Sequence, residues 1–469
     1  MHDFFNPSSI VIFGASKNER KSGNHVLQNI LNYQQENVFL IHPKHEEIYN
    51  IPCYKDIKDL PIKNIDLAII ILPVEYVLDA LESCIEAQVR TVIIESGALY
   101  LKGVDDALNQ KRIEDIKHNL SLPNCSTRVL GPNSIGFYCA NEGKHDLITS
   151  LIYFEKTPGL KQKNLSVISQ TGLTLSGILQ GQNYIQEYGI AKIAAIGNKF
   201  DVNESDVLEL YEDDPNTDVI ALYLEDIKEG PRFKVQCARI AKKKPIILLK
   251  SGKTEKGKRA IISHTKSLAG DYKIIEALSR QLGIITVEDF SEMLSTAKLL
   301  LSQPLPKGNK IGVISISGAG TVLSCDLAEK YGLLLPPMTE SQKERMMEIF
   351  PKFAAEDVYN PLDIWSSVEY VGPEKAYIRA GEILLEEKNH YDILIYFLTG
   401  IKETEFEWSK LHNLGAQTGI PIYMGLFGGD KQLILKWREE LEERYNIPIF
   451  ESITTLMRAI SKILTLKLE

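Results

Sequence analysis

The sequence of 469 residues has few cysteines, and no two of them form a Cys-x-x-Cys pair. The six cysteines are scattered along the chain between Cys53 and Cys325. Structural zinc sites usually contain Cys-x-x-Cys pairs, and disulfide frameworks are typical of short, cysteine-dense secreted chains, so this sparse spacing predicts free thiols and no metal site. We therefore expect the chain to work in a reducing cytoplasm.

Long apolar runs and a basic excess are also missing. No run approaches the roughly 18 apolar residues of a membrane span, and Met1–Asn6 lacks the basic and apolar regions of a secretory signal. The net charge of −9 disfavours nucleic acid as the main partner, since such proteins usually carry a basic excess. The sequence thus predicts a cytoplasmic protein that binds neither a membrane nor a nucleic acid.

The first predicted strand is not followed by the Gly-x-Gly-x-x-Gly fingerprint of nicotinamide dinucleotide sites. Strand Ser9–Phe13 leads into Gly14-Ala15-Ser16, and the next strand ends in His42-Pro43-Lys44 rather than in an acidic residue. Lys44 suits a phosphate, and amides at a helix start can receive pyrophosphate. The first turn therefore favours a phosphate ligand other than a nicotinamide dinucleotide. The alternative is that Gly14 only makes a tight turn.

What the chain does contain is a repeated alternation of short apolar strands and helices. Such strands predict parallel sheets that helices cover on both faces. The length predicts about three domains, and Ser302–Asn309, with two prolines and a glycine, is the clearest linker. We predict an α/β fold of three consecutive parallel-sheet domains at residues 1–127, 128–304 and 305–469.

Three stretches of the second predicted domain carry groups suited to phosphate chemistry. Ser169–Gly172 follows an apolar strand and starts a helix, an arrangement that favours an anion. Glu225 follows strand Val219–Leu224, and His264 lies on a predicted loop rich in Gly, Ser and Thr after strand Pro245–Leu249. A neutral imidazole oriented by a carboxylate can attack phosphorus. The alternatives are a helix cap, a solvated acid and a surface histidine.

Several motifs resemble those of the NDP-forming acyl-CoA synthetases. The octet Ser263–Gly270 resembles the Ser-His-Thr-Gly-Ser-Leu-Ala-Gly loop that carries their phosphorylated histidine. Leu222–Glu225 matches their Leu-Tyr-x-Glu motif, Gly131–Gly136 their Gly-Pro-Asn-x-x-Gly hinge, and Asn360–Asp363 their Asn-Pro-x-Asp turn. The resemblance covers essentially the whole chain. It implies a Rossmann-like CoA-binding domain followed by two flavodoxin-like domains similar to succinyl-CoA synthetase.

The resemblance also implies roles for individual residues. His264 would take the phosphoryl group, and Glu225 would orient it. The phosphate would be cradled by Ser169, Thr171 and Gly172. CoA would be held by Gly14, Ala15, Ser16, Lys44, Glu95, Ser96 and Gly97.

No segment of the sequence is left over for an ATP-grasp module, so the resemblance implies an α-type subunit. A separate ATP-grasp β subunit, within a heterotetramer, would bring Mg-ATP or Mg-ADP. Together they would interconvert acyl-CoA, phosphate and ADP with a small carboxylic acid, CoA and ATP through acyl phosphate. One departure is Lys266, which stands where the family has Gly. The alternative hypothesis is therefore a CoA or acyl-CoA binding protein without phosphoryl transfer.

Overall fold

The computed structural model describes residues 5–143, 145–180, 188–265 and 270–466. It contains three mostly parallel sheets with helices around them, which confirms the predicted fold class. The chain divides into two units, Met1–Ile185 with Gly189–Leu278 and Gln186–Tyr188 with Ser279–Glu469. In the ranges just given, no helix is long and apolar enough to cross a membrane.

The first sheet has seven strands in the order β3-β4-β2-β1-β5-β6-β7. The strands are β1 (Ile10–Phe13), β2 (Val38–Ile41), β3 (Glu47–Ile48), β4 (Ile51–Tyr54), β5 (Leu67–Ile70), β6 (Thr91–Ile94) and β7 (Arg128–Leu130). Only the short β3 runs antiparallel to its neighbour. The helices are α1 (Ser22–Tyr33), α2 (Val77–Glu86) and α3 (Asp106–Ser121). Because β1, β5 and β6 are completely buried, their apolar side chains fill the core on both faces of the sheet.

The second sheet also belongs to the first unit, where its strands follow the order β13-β12-β10-β11-β8-β9. They are β8 (Phe137–Cys139), β9 (Leu147–Ile148), β10 (Asn164–Ser169), β11 (Gly189–Ala195), β12 (Val219–Leu224) and β13 (Ile246–Lys250). The helices are α4 (Leu173–Gln180), α5 (Glu204–Glu212), α6 (Gly230–Ile240), α7 (Glu255–Thr265) and α8 (Tyr272–Leu282). Strands β10 to β13 are parallel, whereas β8 and β9 add an antiparallel edge.

The predicted loop at His264 is wrong for the backbone, because α7 includes His264 in its last turn. The hydroxyl of Thr254 accepts a hydrogen bond from the amide of Gly257 at 3.1 Å and caps the helix. Good helix formers such as Lys258 and Ala260 then continue it. The side chain of His264 and residues 266–269 lie outside the described part of the chain.

The third sheet lies in the second unit and has the order β16-β15-β17-β18-β19, with all neighbouring strands parallel. The strands of this unit are β14 (Ile285–Thr286), β15 (Ile311–Ser315), β16 (Leu362–Asp363), β17 (Ile393–Gly400), β18 (Ile422–Gly429) and β19 (Ile449–Phe450). Numbered from β15, the sheet order is the flavodoxin-like 2-1-3-4-5.

Eight further helices, from α9 to α16, accompany the strands of the second unit in the described part of the chain. They are α9 (Phe290–Ser302), α10 (Gly318–Tyr331), α11 (Glu340–Met346), α12 (Trp365–Val371), α13 (Pro373–Glu386), α14 (Trp408–Thr418), α15 (Lys431–Arg438) and α16 (Ile453–Ile463). A π-helix (Glu439–Arg444) follows α15. Residues 303–309, at the predicted linker, join α9 to β15 without regular structure. The predicted domain boundaries stay predictions.

Candidate functional site

A cavity of about 920 Å³ opens at the carboxyl edge of the first sheet. It is bounded by the ends of β1, β2 and β5, where ligands of parallel sheets bind. Four of the residues predicted to hold CoA line it: Gly14, Ala15, Ser16 and Lys44. The structure therefore brings the first turn and the end of the second strand to one site, as the sequence predicts.

Two glycines shape the wall of this cavity. Gly14 has a φ of +93°, and a Cβ atom there would lie 2.2 Å from the carbonyl oxygen of Ile71. A Cβ atom on Gly23 would lie 2.1 Å from the carbonyl oxygen of Gly14. The backbone after β1 therefore packs directly against the start of α1 and against the end of β5. Only glycine fits at either position without a backbone shift.

The charged residues that line this cavity are all basic. Arg20 and Lys21, which the sequence analysis missed, join Lys44 there, beside apolar groups such as Leu72 and Tyr76. The only available signal was the basic character of the polar loop before α1. Basic and apolar groups side by side fit a ligand such as CoA, which combines phosphates with less polar parts.

His42 shapes the lysine-bearing end of the cavity. Its Nδ1 atom accepts hydrogen bonds from the amides of Lys44 and His45, both at 3.1 Å. Burial lowers the pKa of His42, and the neighbouring His45 and Lys44 lower it further. The neutral ring is the acceptor that these two amides require. His42 therefore fixes the backbone that carries Lys44.

The other predicted CoA residues, Glu95, Ser96 and Gly97, follow β6 and do not line the cavity. Ser96 donates a hydrogen bond from its hydroxyl to the carbonyl of Leu72 at 2.6 Å. Glu95 is buried, and its carboxyl oxygens have no hydrogen-bond partner among the described residues. Burial raises the pKa of Glu95 well above its ordinary value. The loop is thus attached to the cavity wall through Leu72.

The Ser169–Gly172 turn lies at the carboxyl edge of the second sheet. The Ser169 hydroxyl lies 2.7 Å from Oγ1 of Thr174 and accepts a hydrogen bond from the amide of Thr171 at 3.2 Å. At Gly172, a Cβ atom would lie 2.6 Å from Cγ2 of Ile135. Hydroxyls and the start of α4 are therefore held close to the predicted hinge.

Glu225 lies beside this turn because β10 and β12 are neighbours, with Ser169 opposite Tyr223. Gln170 joins the two strand ends: its Oε1 atom accepts from the amides of Glu225 at 2.8 Å and Asp226 at 3.2 Å. Its Nε2 atom donates to Oδ1 of Asp226 at 2.5 Å. The structure thus brings the predicted phosphate turn and the predicted carboxylate to one edge.

The Glu225 side chain itself is mostly buried. Its Oε1 atom lies 3.5 Å from the Tyr223 hydroxyl, and its Oε2 atom has no hydrogen-bond partner among the described residues. This oxygen, at the predicted phosphate edge, is therefore able to accept a hydrogen bond from a further donor.

Two buried lysines complete this edge, and the sequence analysis missed both. Lys199 lies 3.0 Å from Oε2 of Glu204 and 2.6 Å from Oδ1 of Asp226. Lys250 donates to the carbonyls of Glu225 and Ser251, both at 2.6 Å. Burial lowers the pKa of Lys250 to about 8, although nearby Asp226 opposes this effect. The one available signal was a lysine that ends an apolar strand.

Comparison with family models identifies two domains in the chain. Residues 8–139 match a CoA binding domain, and residues 162–300 match a succinyl-CoA ligase like flavodoxin domain. The chain is 32% identical over 454 residues to the α subunit of ADP-forming acetate–CoA ligase II from Pyrococcus furiosus. That alignment covers 96% of this chain and 94% of the relative. The chain belongs to the NDP-forming acyl-CoA synthetase family.

Two other members of this acyl-CoA synthetase family extend the comparison. An ADP-forming acetate–CoA ligase II of Archaeoglobus fulgidus is 30% identical over 469 residues, which cover 99% of this chain and 66% of that protein. The structure resembles acetyl-coenzyme A synthetase 1 of Candidatus Korarchaeum cryptofilum, solved in complex with phosphate and ADP. The TM-score is 0.78 at 27% identity, covering 98% of this chain and 95% of the synthetase.

Proposed function

We propose that this chain is the α-type subunit of an ADP-forming acyl-CoA synthetase. The enzyme interconverts acyl-CoA, phosphate and ADP with a small carboxylic acid, CoA and ATP. Acyl-CoA and phosphate first give acyl phosphate and CoA. The phosphoryl group then passes to His264, where a nitrogen–phosphorus bond forms as the carboxylate leaves, and from there to ADP.

The observation that carries this proposal is the convergence of Ser169–Gly172 and Glu225 at one edge of the second sheet. Strand β13 ends at that same edge, and α7 follows it with His264 in its last turn. In the proposed reaction, Ser169, Thr171 and Gly172 hold the phosphate and Glu225 orients the histidine. A carboxylate beside an imidazole stabilises the positive charge that develops as the ring attacks phosphorus.

CoA is proposed to occupy the cavity of the first sheet. Lys44, Arg20 and Lys21 line this cavity, and in the proposed complex they bind the CoA phosphates, which the backbone amides of Gly14, Ala15 and Ser16 also approach. The loop Glu95, Ser96 and Gly97 supports the wall at Leu72. CoA supplies the thiol that accepts or releases the acyl group.

The nucleotide is proposed to reach the phosphohistidine on a separate ATP-grasp β subunit that binds Mg-ADP or Mg-ATP, in a heterotetramer. The Pyrococcus furiosus relative is named an α subunit, and this chain spans 94% of it. By contrast, this chain spans 66% of the Archaeoglobus fulgidus ligase.

The six free cysteines support the cytoplasmic location predicted from the sequence.

Labelling with radioactive phosphate tests the histidine. The chain is incubated with acetyl-CoA and labelled phosphate, and the label on the protein is then exposed to acid and to base. We expect an acid-labile and base-stable label, because protonation of the phosphorylated ring makes the imidazole a good leaving group when water takes the phosphoryl group. His264→Ala should carry no label. A label that persists in that variant would remove His264 from the reaction.

Lys266→Gly restores the residue that the family has at this position, and it tests the alternative function. Faster labelling than in the wild type would mean that Lys266 slows an intact site. If the wild type and Lys266→Gly both remain unlabelled while CoA still binds, the chain is a CoA-binding protein without phosphoryl transfer.

The proposed partner is tested by turnover. The chain alone should make no ATP from acetyl-CoA, phosphate and ADP, and addition of the cognate ATP-grasp subunit should restore synthesis. Steady ATP synthesis by the purified chain alone would overturn the assignment as an α-type subunit.

A further inference from the structure

Lys250 occupies an unusual position at the phosphate edge of the second sheet. It is the last residue of β13, pairs in register with Leu224 and is 3% exposed. Its ammonium group donates to the carbonyls of Glu225 and Ser251. One side chain therefore links the residue after β12 to the residue after β13.

The two linked carbonyls belong to two segments that the proposed reaction must keep together. The first carbonyl is that of Glu225 itself. The second is that of Ser251, where the segment begins that runs through the Thr254 cap into α7, the helix that contains His264. A change in the distance between these carbonyls would move the carboxylate relative to the histidine-bearing helix.

We propose that Lys250 is a positioning residue for phosphoryl transfer, which holds the backbone of Glu225 against the segment that leads to His264. The inference rests on the proposed function, and it adds a residue that neither the family motifs nor the sequence analysis assigned.

Fold stability alone does not account for a lysine here. Burying an ammonium group is costly unless it is well paired, and an apolar residue would continue the apolar strand Ile246–Leu249 without that cost. The atoms that receive its hydrogen bonds are neutral carbonyls, while the nearby carboxylate of Asp226 is already paired with Lys199. A cation kept at this cost fits a site that must receive a phosphate.

Lys244 offers a matched control at the opposite end of the same strand. It precedes β13, and its ammonium group also donates to two backbone carbonyls, those of Tyr211 at 2.8 Å and Asp214 at 2.7 Å. Lys244→Met and Lys250→Met therefore remove the same kind of double hydrogen bond. Only Lys250→Met removes it at the phosphate edge.

The test compares labelling rate, CoA affinity and thermal unfolding for the wild type and these variants. Lys250→Met should slow labelling by labelled phosphate and acetyl-CoA about 10- to 100-fold, the range found for groups that orient metal ligands in other enzymes. Its CoA affinity, measured by calorimetry, should be unchanged, because CoA is proposed to bind at the first sheet. Lys250→Arg, which keeps the charge and the donors, should recover most of the labelling rate.

Lys244→Met should label at the wild-type rate, and the unfolding temperatures of the two variants show whether a change in stability accompanies any slower labelling. Equal labelling of Lys250→Met and wild type, or equal slowing by Lys244→Met, would overturn the role of Lys250 while leaving the proposed function intact. If the wild type and Lys266→Gly both remain unlabelled while CoA still binds, both proposals are overturned. If Lys250→Met does not fold, Lys250→Gln, which keeps a donor without the charge, replaces it in the same comparison.

Discussion

The side-chain oxygen of Gln170 accepts a hydrogen bond from the backbone amide of Glu225 at 2.8 Å. This contact crosses from the end of β10 to the end of β12, so it joins the proposed phosphate turn to the proposed orienting carboxylate. Gln170 is buried, and both ends of its amide are used, because Nε2 donates to Asp226. The side-chain amide of Gln170, rather than the size of the side chain, therefore holds the two strand ends together.

Gln170→Glu should slow phosphohistidine labelling about 10- to 100-fold. The variant keeps an acceptor for the Glu225 amide but places a second carboxylate against Asp226, which repels it. Adding Asp226→Asn supplies a donor in place of the lost Nε2 group and should recover part of the rate. The rates of the single and double variants provide the measurement. A double variant slower than both single variants would contradict this assignment of the hydrogen bonds.

Gly172→Ala should destabilise the protein by about 1–3 kcal/mol, as overpacking usually does. The added methyl would lie 2.6 Å from Cγ2 of Ile135, so either α4 or Ile135 must shift. Ile135→Ala removes that atom, and the two changes together should cost less than the sum of their separate costs. Free energies of unfolding from denaturant titrations provide the test. Strict additivity would show that the two positions do not share space.

Lys44→Ala should weaken CoA binding by about 1.5–3 kcal/mol, a loss typical of a hydrogen bond to a charged group. This corresponds to about a 10- to 150-fold rise in Kd. Calorimetric titration with CoA provides the measurement, and titration with NAD should give weaker binding. Lys63→Ala is the matched control, because Lys63 is an exposed lysine of the same sheet region outside the cavity lining. Equal affinities in both variants would remove Lys44 from the site.

Glu95→Gln should stabilise the protein, and the gain should grow with pH. The pKa of Glu95 is raised in the folded state, so above the ordinary glutamate pKa of 4.5 the folded state binds more protons than the unfolded state. Stability from this group is therefore present at low pH and is lost as pH rises toward the folded pKa. The neutral glutamine avoids that loss.

Thermal unfolding at pH 5 and pH 8 provides the measurement for Glu95→Gln. Each kcal/mol gained corresponds to roughly 2–4 °C in a unit of this size. The exposed Glu75 supplies the control Glu75→Gln, which should show no such trend. A difference between wild type and Glu95→Gln that stays constant with pH would rule out a buried carboxyl group at position 95.

Local patterns predicted most of the parallel core. The apolar strand β12 begins and ends where the sequence placed it, and the apolar strands β1 and β13 lie within one residue of their predicted bounds. The antiparallel β8 and β9 were missed, because two or three residues carry no periodicity and their pairing depends on distant β11. The loop predicted at His264 is a helix. The prediction was wrong because the Gly and Ser residues suggested a loop, whereas the Thr254 cap starts a helix that continues through His264.

The candidate sites were predictable only where a residue type indicates its chemistry by itself. Lys44 and Glu225 follow strands, so their placement at a sheet edge was accessible from the sequence. Gln170 and Lys250 were not, because polar residues at strand ends resemble solvated ones until the neighbouring strands bury them. Their roles depend on the strand order, which brings β10, β12 and β13 side by side. The pairing of strands in the tertiary structure, rather than the local sequence, determines the role of such residues.

The contact between Gly14 and Gly23 limits how the cavity of the first sheet can be redesigned. A methyl group on Gly23 would meet the carbonyl oxygen of Gly14, and one on Gly14 would meet the carbonyl oxygen of Ile71, so a mutant library that randomises either position should consist mostly of non-binders. Substitutions intended to change the ligand preference should therefore be better tolerated at Arg20, Lys21 and Lys44, which line the cavity. Substitutions at these three cationic residues can therefore be combined freely as long as both glycines are kept.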